Sequence, residues 1–165
     1  MENANIKIVE MLKKRGMTLA IAESLTGGLV SSAICGVPGA SEVLLEGVVS
    51  YTDESKITRL GVRRETLEIH TSVSSQTAAE MAEGVRKNLG ADIGISTTGV
   101  AGPGEADENG NPRGLVYVGL SSGNETSVSR HMFDGTRNAI REQAKDICLE
   151  RLYEILYEKE RKNND

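Results

Sequence analysis

The sequence has few aromatic residues and few cysteines. It contains no tryptophan, one phenylalanine and four tyrosines, so its core must be built from isoleucine, valine, leucine, alanine and methionine. An aliphatic core of this kind suits a fold in which strands and helices alternate. Cys35 and Cys148 lie far apart in apolar helical segments, with no histidine or cysteine at ligand spacing, so a structural zinc site has no support. We therefore expect two buried free thiols and no metal.

The chain also lacks a basic excess and any long apolar run. Its formal net charge of −5 argues against nonspecific binding of nucleic acid, which needs a basic face. No apolar run approaches the roughly 18 residues of a membrane-spanning helix, and residues 1–16 resemble an amphipathic helix rather than a signal peptide. We expect a cytoplasmic protein without nucleic-acid or membrane partners, forming one domain over residues 1–165.

Hydrophobic periodicity predicts the element order α-β-α-β-α-α-β-β-β-α. The predicted helices cover 4–15, 28–35, 53–60, 74–89 and 136–158. The predicted strands cover 18–23, 43–50, 92–97, 115–121 and 126–133. The order indicates an α/β fold, a three-layer α/β/α sandwich whose open mixed sheet is covered by helices on both faces. Residues 98–114 are predicted to form an irregular loop, and residues 159–165 a frayed tail. The apolar stripe of the last helix predicts a core face or an oligomer face, and we expect a homo-oligomer.

The segment 18–28 is the most informative part of the chain. An apolar strand runs directly into the turn Ser-Leu-Thr-Gly-Gly, and a second apolar stretch follows. This pattern predicts that Ser24 lies among unpaired amide donors where a helix begins, an arrangement that can hold a phosphate or an oxyanion and that recurs at serine nucleophiles. Gly27 and Gly28 would let a ligand approach the backbone closely. Alternatively, Ser24 or Thr26 caps the helix.

A second polar group, Tyr51 to Lys56, follows the next predicted strand. Ser24 has no credible Ser-His-Asp partners, because His70 is expected in a polar turn and His131 within a strand, so Lys56 is the candidate base. A lysine can remove a serine proton only if burial has destabilised its charged form. Tyr51 could relay a proton or hold the lysine. The alternatives are a solvated helix lysine and a tyrosine that packs at the end of a strand.

The third polar group is the glycine-rich segment 98–104. Its backbone amides could face an anion or an oxyanion. The segment matches neither the Walker A pattern nor the dinucleotide-binding G-x-G-x-x-G pattern, which disfavours a kinase or a dehydrogenase. Ligands gather at the carboxyl ends of strands in open α/β sheets, so all three polar groups are expected to converge.

Two arginines open the last predicted helix. Arg137 and Arg141 lie one turn apart, where their guanidinium groups could clamp a phosphate. Surface pairing with Asp134 or Glu142 is the alternative.

Four segments together resemble the C-terminal domain of the CinA (competence/damage-inducible) family in its stand-alone nicotinamide-nucleotide amidase form. These are AESLTGG at 22–28, GVVSYTDESKITRLGV at 47–62, SVSSQTAAEMAEGVR at 72–86 and STTGVAGP at 96–103. The resemblance implies metal-free and cofactor-free hydrolysis of the carboxamide of nicotinamide mononucleotide, which yields nicotinic acid mononucleotide and ammonia. The family's glycine-rich continuation is replaced here by GEADENGNPRG at 104–114.

The resemblance also implies roles for individual residues. The family's nucleophilic serine, tyrosine, lysine and loop threonine correspond to Ser24, Tyr51, Lys56 and Thr98. In the resulting hypothesis, Ser24 attacks the carboxamide, Lys56 takes the proton while Tyr51 orients it, and Thr98 orients the amide or the nucleophile. Amides within 25–28 or 99–102 would stabilise the oxyanion. The candidate substrate-binding residues are Thr26, Gly27, Gly28, Gly99, Ala101, Gly102, Arg137 and Arg141.

Two other functions stay open at this point. One is a non-catalytic nucleotide-binding module that regulates a DNA-uptake or damage-response partner. The other is an amidase that acts on a different carboxamide.

Overall fold

The computed structural model of the protein describes residues 3–162, with side chains through residue 158. Its elements are α1 (Ala4–Arg15), β1 (Leu19–Glu23), α2 (Leu29–Cys35), a 3-10 turn (Ala40–Glu42), β2 (Leu44–Val49), α3 (Asp53–Leu60), α4 (Arg64–His70), α5 (Ser75–Asn88), β3 (Ile93–Gly99), β4 (Leu115–Ser122), β5 (Glu125–Met132) and α6 (Arg137–Lys162). Among the described residues, no helix is both long and apolar enough to cross a bilayer.

The strands form one mixed sheet in the order β2-β1-β3-β4-β5. β1 runs parallel to both β2 and β3, whereas β4 is antiparallel to its neighbours β3 and β5. The chain therefore leaves β1 for β2 on one side and later returns to β3 on the other. The carboxyl ends of these three strands share one edge, which is where open α/β sheets bind ligands.

Alternate residues of β1 face the two sides of the sheet, as the two-residue period of a strand requires. Leu19 and Ile21 join a core with α1, α2 and α6. Ala20 and Ala22 join a second core with α3, α4 and α5. The predicted three-layer α/β/α architecture, with an open mixed sheet covered on both faces, is confirmed.

The apolar stripe of α6 belongs to the core of this chain. Ile140, Ala144, Cys148, Leu152 and Leu156 are all fully buried against the sheet and neighbouring helices. The apolar stripe was predicted to be either a core face or an oligomer face, and these five residues form a core face. Self-association stays a prediction that this stripe does not support.

Several local predictions differ from the structure. Residues 64–70 form α4, which sequence analysis missed, so His70 ends a helix rather than lying in a polar turn. β3 continues through Gly99 into the predicted loop, and that loop contains a small bridge between Ala106 and Pro112. The backbone of α6 is helical through Lys162, while the rest of the predicted frayed tail, 163–165, lies outside the described residues.

The prediction of two buried thiols is half correct. Cys148 is buried in the core, but Cys35 at the end of α2 is exposed. Burial raises the pKa of the Cys148 thiol well above its ordinary value, with the charge of Glu23 contributing in the same direction.

Candidate active site

The carboxyl ends of β1, β2 and β3 surround a cavity of about 410 Å³. Side chains and backbone from all three predicted polar groups line it, together with the start of α6. The lining residues are Ser24, Leu25, Tyr51, Lys56, Ser72, Val73, residues 98–104, residues 106–109 and Arg137.

Ser24 follows directly after the last residue of β1. Its amide donates to the carbonyl of Thr97 at 3.1 Å, and its own carbonyl accepts from the amide of Gly27 at 3.1 Å. The first hydrogen bond thus connects the turn to β3, and the second closes the turn. The serine side chain is nearly buried, with 8% of the residue exposed, and lines the cavity.

Glu23 occupies the amide donors at the start of α2. One carboxylate oxygen accepts from the amides of Gly28 (3.0 Å) and Val30 (3.1 Å). The other accepts from the amide (2.8 Å) and the hydroxyl (2.6 Å) of Ser31. A carboxylate at a helix N-terminus is favoured both by these donors and by the helix dipole. The prediction that Ser24 lies among unpaired helix donors is therefore wrong.

Neither hydroxyl predicted as an alternative helix cap serves in that way. The N-cap position of α2 is Gly28, with a φ of 103°, and no side chain at that position makes a capping bond. Thr26 is completely buried, and its hydroxyl lies 2.8 Å from that of Thr97. Thr26, Gly27 and Gly28 thus lie outside the cavity lining and form the turn. Their contact with a substrate stays a prediction.

Lys56 extends from the first turns of α3 into the interior. The helix covers the predicted residues 53–60. Its N-cap is Thr52, whose hydroxyl accepts from the amide of Ser55, and its C-cap is Gly61 in the left-handed conformation. The buried residues of α3 are Lys56 and Leu60, four positions apart and on the same face. The alternative of a solvated surface lysine is therefore wrong.

The amine of Lys56 reaches the candidate nucleophile. Its Nζ lies 3.2 Å from the hydroxyl oxygen of Ser24, 3.1 Å from the carbonyl oxygen of Ser50 and 3.3 Å from that of Tyr51. Only 1% of Lys56 is exposed. This burial lowers the pKa of Lys56 below its ordinary value, although the charge of Asp53 partly opposes the shift.

The side chain of Tyr51 turns away from Lys56. Just over half of Tyr51 is exposed, and its hydroxyl accepts a hydrogen bond from Nη2 of Arg137 at 2.8 Å. The other terminal nitrogen of Arg137 donates to the carbonyl of Gly102. Tyr51 contacts the amine of Lys56 through its backbone carbonyl and not through its hydroxyl. The expectation that Tyr51 orients the lysine stays a prediction.

Thr98 lies in β3 beside the cavity and is almost fully buried. Its hydroxyl donates to the carbonyl of Ser72 at 2.6 Å. Because that carbonyl can only accept, the hydroxyl hydrogen points there and the lone pairs remain free. Thr98 can therefore accept a hydrogen bond from a ligand. Sequence analysis did not select Ser72 as a site residue, although it is the first residue of the segment 72–86 that carries part of the resemblance.

The backbone donors that face the cavity are fewer than predicted. Gly27 and Gly28 use their amides within the turn, as described above. Leu25, Ala101 and Gly102 line the cavity, and no acceptor among residues 3–162 pairs with their N–H groups. The amide after a serine nucleophile and amides from a nearby loop are the groups that form oxyanion holes in strand-turn-helix hydrolases.

The two arginines of α6 have different positions. Arg137 lines the cavity, whereas Arg141 lies behind the serine turn. The guanidinium of Arg141 donates to the carbonyls of Leu25 (2.8 Å) and Thr26 (3.1 Å) and to the side chain of Asn138 (3.0 Å). A joint phosphate clamp is therefore not formed, and Arg141 braces the turn.

The alternative surface pairs of these arginines are not formed either. Glu142 pairs with Lys145 at 2.7 Å, and the carbonyl of Asp134 accepts from Gln143. Within the described part of the chain, neither Arg137 nor Arg141 forms an ion pair with these acids.

The loop 104–113 forms an outer wall of the cavity and was not predicted to do so. One carboxylate oxygen of Asp107 accepts from the amides of Asn109 (2.9 Å) and Asn111 (2.8 Å). The side-chain amide of Asn111 donates to the other oxygen of Asp107 and to the hydroxyl of Thr71. The spacing Asp-x-Asn-x-Asn is a turn-forming signal that could have predicted this local fold.

In the described residues there is no group of three or more histidine, cysteine or acidic side chains placed to hold a metal ion. The polar groups of the cavity are a hydroxyl beside an amine, free amides and a guanidinium. Such a set can activate an alcohol, stabilise an oxyanion and bind an anionic group.

Comparison with protein families matches residues 1–156 to the CinA C-terminal domain. A Clostridioides difficile (strain 630) protein whose name carries the words competence-damage inducible is 51% identical over 145 residues, which cover 88% of this chain and 34% of that protein. The CinA-like protein of Kosmotoga olearia is 47% identical, covering 87% of this chain and 34% of that protein. The chain thus spans about a third of the length of these curated relatives.

A solved structure with the same fold is the competence damage-inducible protein A (ComA) of Klebsiella pneumoniae subsp. pneumoniae MGH 78578. It is 35% identical, with a TM-score of 0.90, and the match covers 94% of this chain and 96% of that chain.

Proposed function

This chain belongs to the CinA C-terminal domain family, and we propose that it hydrolyses the carboxamide of nicotinamide mononucleotide. The products are nicotinic acid mononucleotide and ammonia. The observation that carries the proposal is the buried pair formed by the Ser24 hydroxyl and the Lys56 amine, 3.2 Å apart at the cavity wall.

The surroundings of Lys56 favour its uncharged form as the base. A neutral amine has two N–H donors and one lone pair. The carbonyls of Ser50 and Tyr51 can only accept, so they take both N–H groups. The lone pair of the neutral amine is then left for the hydroxyl proton of Ser24, and burial, which lowers the pKa of Lys56, favours this neutral form.

The first half of the reaction forms an acyl-enzyme. The oxygen of Ser24 bonds to the carboxamide carbon while its proton moves to Lys56. The C–N bond then breaks, Lys56 returns the proton to the departing nitrogen, and ammonia leaves. Positioned proton transfer of this kind contributes about 100- to 10,000-fold in rate.

The second half regenerates the enzyme. Water adds to the acyl carbon with Lys56 again as the base, and Ser24 recovers its proton as the acid product is released. The unpaired amides of Leu25, Ala101 and Gly102 are the donors available for the oxyanion in both halves.

Two further contacts suit a phosphorylated nucleotide with an amide group. The lone pairs of Thr98 are free to accept from the carboxamide NH₂, since the Thr98 hydrogen is held by Ser72. Arg137 supplies a cation at the cavity wall for the phosphate.

The test is ammonia release from nicotinamide mononucleotide. We expect release by the wild type and a loss of at least about 1,000-fold in Ser24→Ala, with Ser32→Ala, an exposed hydroxyl on α2, as the matched control. Unchanged thermal unfolding of Ser24→Ala would show that the loss is not a folding defect. No release by the wild type, or full release by Ser24→Ala, would contradict the proposal.

The same assay separates the other two functions. Tight binding of the nucleotide without ammonia release would favour a regulatory nucleotide-binding module. Faster release from free nicotinamide or from the dinucleotide would indicate an amidase for a different carboxamide.

A further inference from the structure

Tyr51 contributes two groups that act at different places. Its backbone carbonyl accepts from the amine of Lys56, and its phenolic hydroxyl accepts from Arg137. The amine of Lys56 has hydrogen-bond partners in Ser24 and in the carbonyls of Ser50 and Tyr51, and the phenol is not one of them. Removing the phenolic oxygen would therefore leave every contact of the lysine in place.

The phenol instead fixes the guanidinium of Arg137. This arginine is the first residue of α6 and is exposed to solvent, so its long side chain would otherwise sample many rotamers. It donates through one terminal nitrogen to Tyr51 and through the other to the carbonyl of Gly102. These two acceptors come from segments that follow β2 and β3, and all three residues line the cavity.

The guanidinium of Arg137 has five N–H groups, and its bonds to the Tyr51 hydroxyl and the Gly102 carbonyl leave some of them available to a ligand. The aromatic ring of Tyr51 is a rigid support, because only two torsions set its direction. An anionic group that enters the cavity thus meets a cation already oriented, and orienting a binding group in advance raises affinity without touching the chemical step.

We infer that Tyr51 is a positioning residue that acts through Arg137 on the anionic end of the substrate, and that it does not relay a proton for Lys56. The inference rests on the proposed function, since it assigns a role within the same amidase site. A tyrosine near the nucleophile could either position a substrate-binding group or relay a proton, and substitution distinguishes these two roles. Loss of positioning weakens substrate binding, whereas loss of a proton relay slows the chemical step.

The decisive variant is Tyr51→Phe, which keeps the ring and the backbone carbonyl. With nicotinamide mononucleotide we expect KM to rise about tenfold while kcat stays within about twofold. With the corresponding nucleoside, which has the same carboxamide but no phosphate, we expect both parameters to stay near those of the wild type. Tyr157→Phe, also about half exposed, is the matched control. A fall in kcat of about 100-fold or more with both substrates would overturn the inference.

Double substitution tests the connection to Arg137. Arg137→Ala should raise KM for the nucleotide, and adding Tyr51→Phe should raise it no further, because the phenol would have nothing left to orient. Independent, multiplying effects of the two substitutions on KM would contradict the inference.

Failure of the proposed function can be told apart from failure of the inference. If the wild type releases no ammonia from the nucleotide, the proposed function fails, and crystal structures of the substrate-free wild type and Tyr51→Phe then decide the inference. We expect the guanidinium of Arg137 to leave the carbonyl of Gly102 in the variant. An unmoved guanidinium would overturn the inference.

Discussion

The buried carboxylate of Glu23 leads to a prediction whose size can be worked out from the structure. It accepts four hydrogen bonds of 2.6–3.1 Å, two at each oxygen, from Gly28, Val30 and Ser31. No part of Glu23 is exposed to solvent. We predict that Glu23→Gln strongly destabilises the fold and disturbs Ser24, the next residue along the chain.

The size of the loss in free energy of unfolding follows from the hydrogen-bond acceptors that glutamine lacks and glutamate has. Glutamine keeps one oxygen, so two of the four bonds remain, and its NH₂ group meets the donors of the other two. A hydrogen bond to a charged group contributes about 1.5–3 kcal/mol, so two lost bonds amount to about 3–6 kcal/mol. This is a large part of the roughly 5–15 kcal/mol that stabilises a typical domain. Ser31→Ala removes only the hydroxyl bond and should lower the free energy of unfolding by about 1–3 kcal/mol.

Urea unfolding followed by far-ultraviolet circular dichroism measures these free energies. Dichroism is preferable to fluorescence here, because the chain has no tryptophan. Glu10→Gln, on the exposed face of α1, is the control and should change the free energy of unfolding by no more than about 0.5 kcal/mol. A loss below about 1 kcal/mol in Glu23→Gln would refute the argument that this carboxylate holds the start of α2.

Three other predictions concern separate parts of the structure. In the proposed mechanism the neutral amine of Lys56 is the base, so kcat/KM should rise with pH through its lowered pKa. Lys56→Arg, which cannot lose its proton, should lower kcat/KM at least about 100-fold. A thiol reagent should modify Cys35 in the native protein and Cys148 only after denaturation, so two fast equivalents in the native state would contradict the described burial. Gly84→Ala would bring its Cβ into a steric clash with the backbone carbonyl oxygen of Leu60. This clash should lower the free energy of unfolding by about 2–3 kcal/mol and Tm by roughly 5–10 °C, and an unchanged Tm would contradict the contact.

Most of the fold could be predicted from hydrophobic periodicity and turn residues. Helix α4 could not, because it lacks the signals on which such predictions depend. No side chain caps its start after Arg63. It stops at Thr71, a residue with a φ of 66° in a region that glycine favours. Of its seven residues, only Thr66 and Leu67 are buried, too few to set a helical period.

The location of the candidate site could be predicted better than the directions of its side chains. Polar residues after strands indicated the edge of the sheet where the cavity lies, and the parallel strands bring these residues together. The direction of each side chain depends on partners that are distant in the sequence. Thr26 turns inward to Thr97, 71 positions away, and Tyr51 turns outward to Arg137, 86 positions away. No local pattern records such contacts.

The side-chain direction of Lys56, in contrast, could be predicted from the local helical spacing. Helical spacing places residues four apart on the same face, so the position that buries Leu60 also buries Lys56. A lysine in the apolar stripe of a short amphipathic helix must lose its charge or gain polar partners, since an unpaired buried ammonium is costly. Here the amine gains polar partners, since two carbonyls and the Ser24 hydroxyl surround it, and burial lowers the pKa of Lys56. A charged residue on the apolar face of a helix is thus a stronger sign of a functional role than the position of that residue close to a sequence motif.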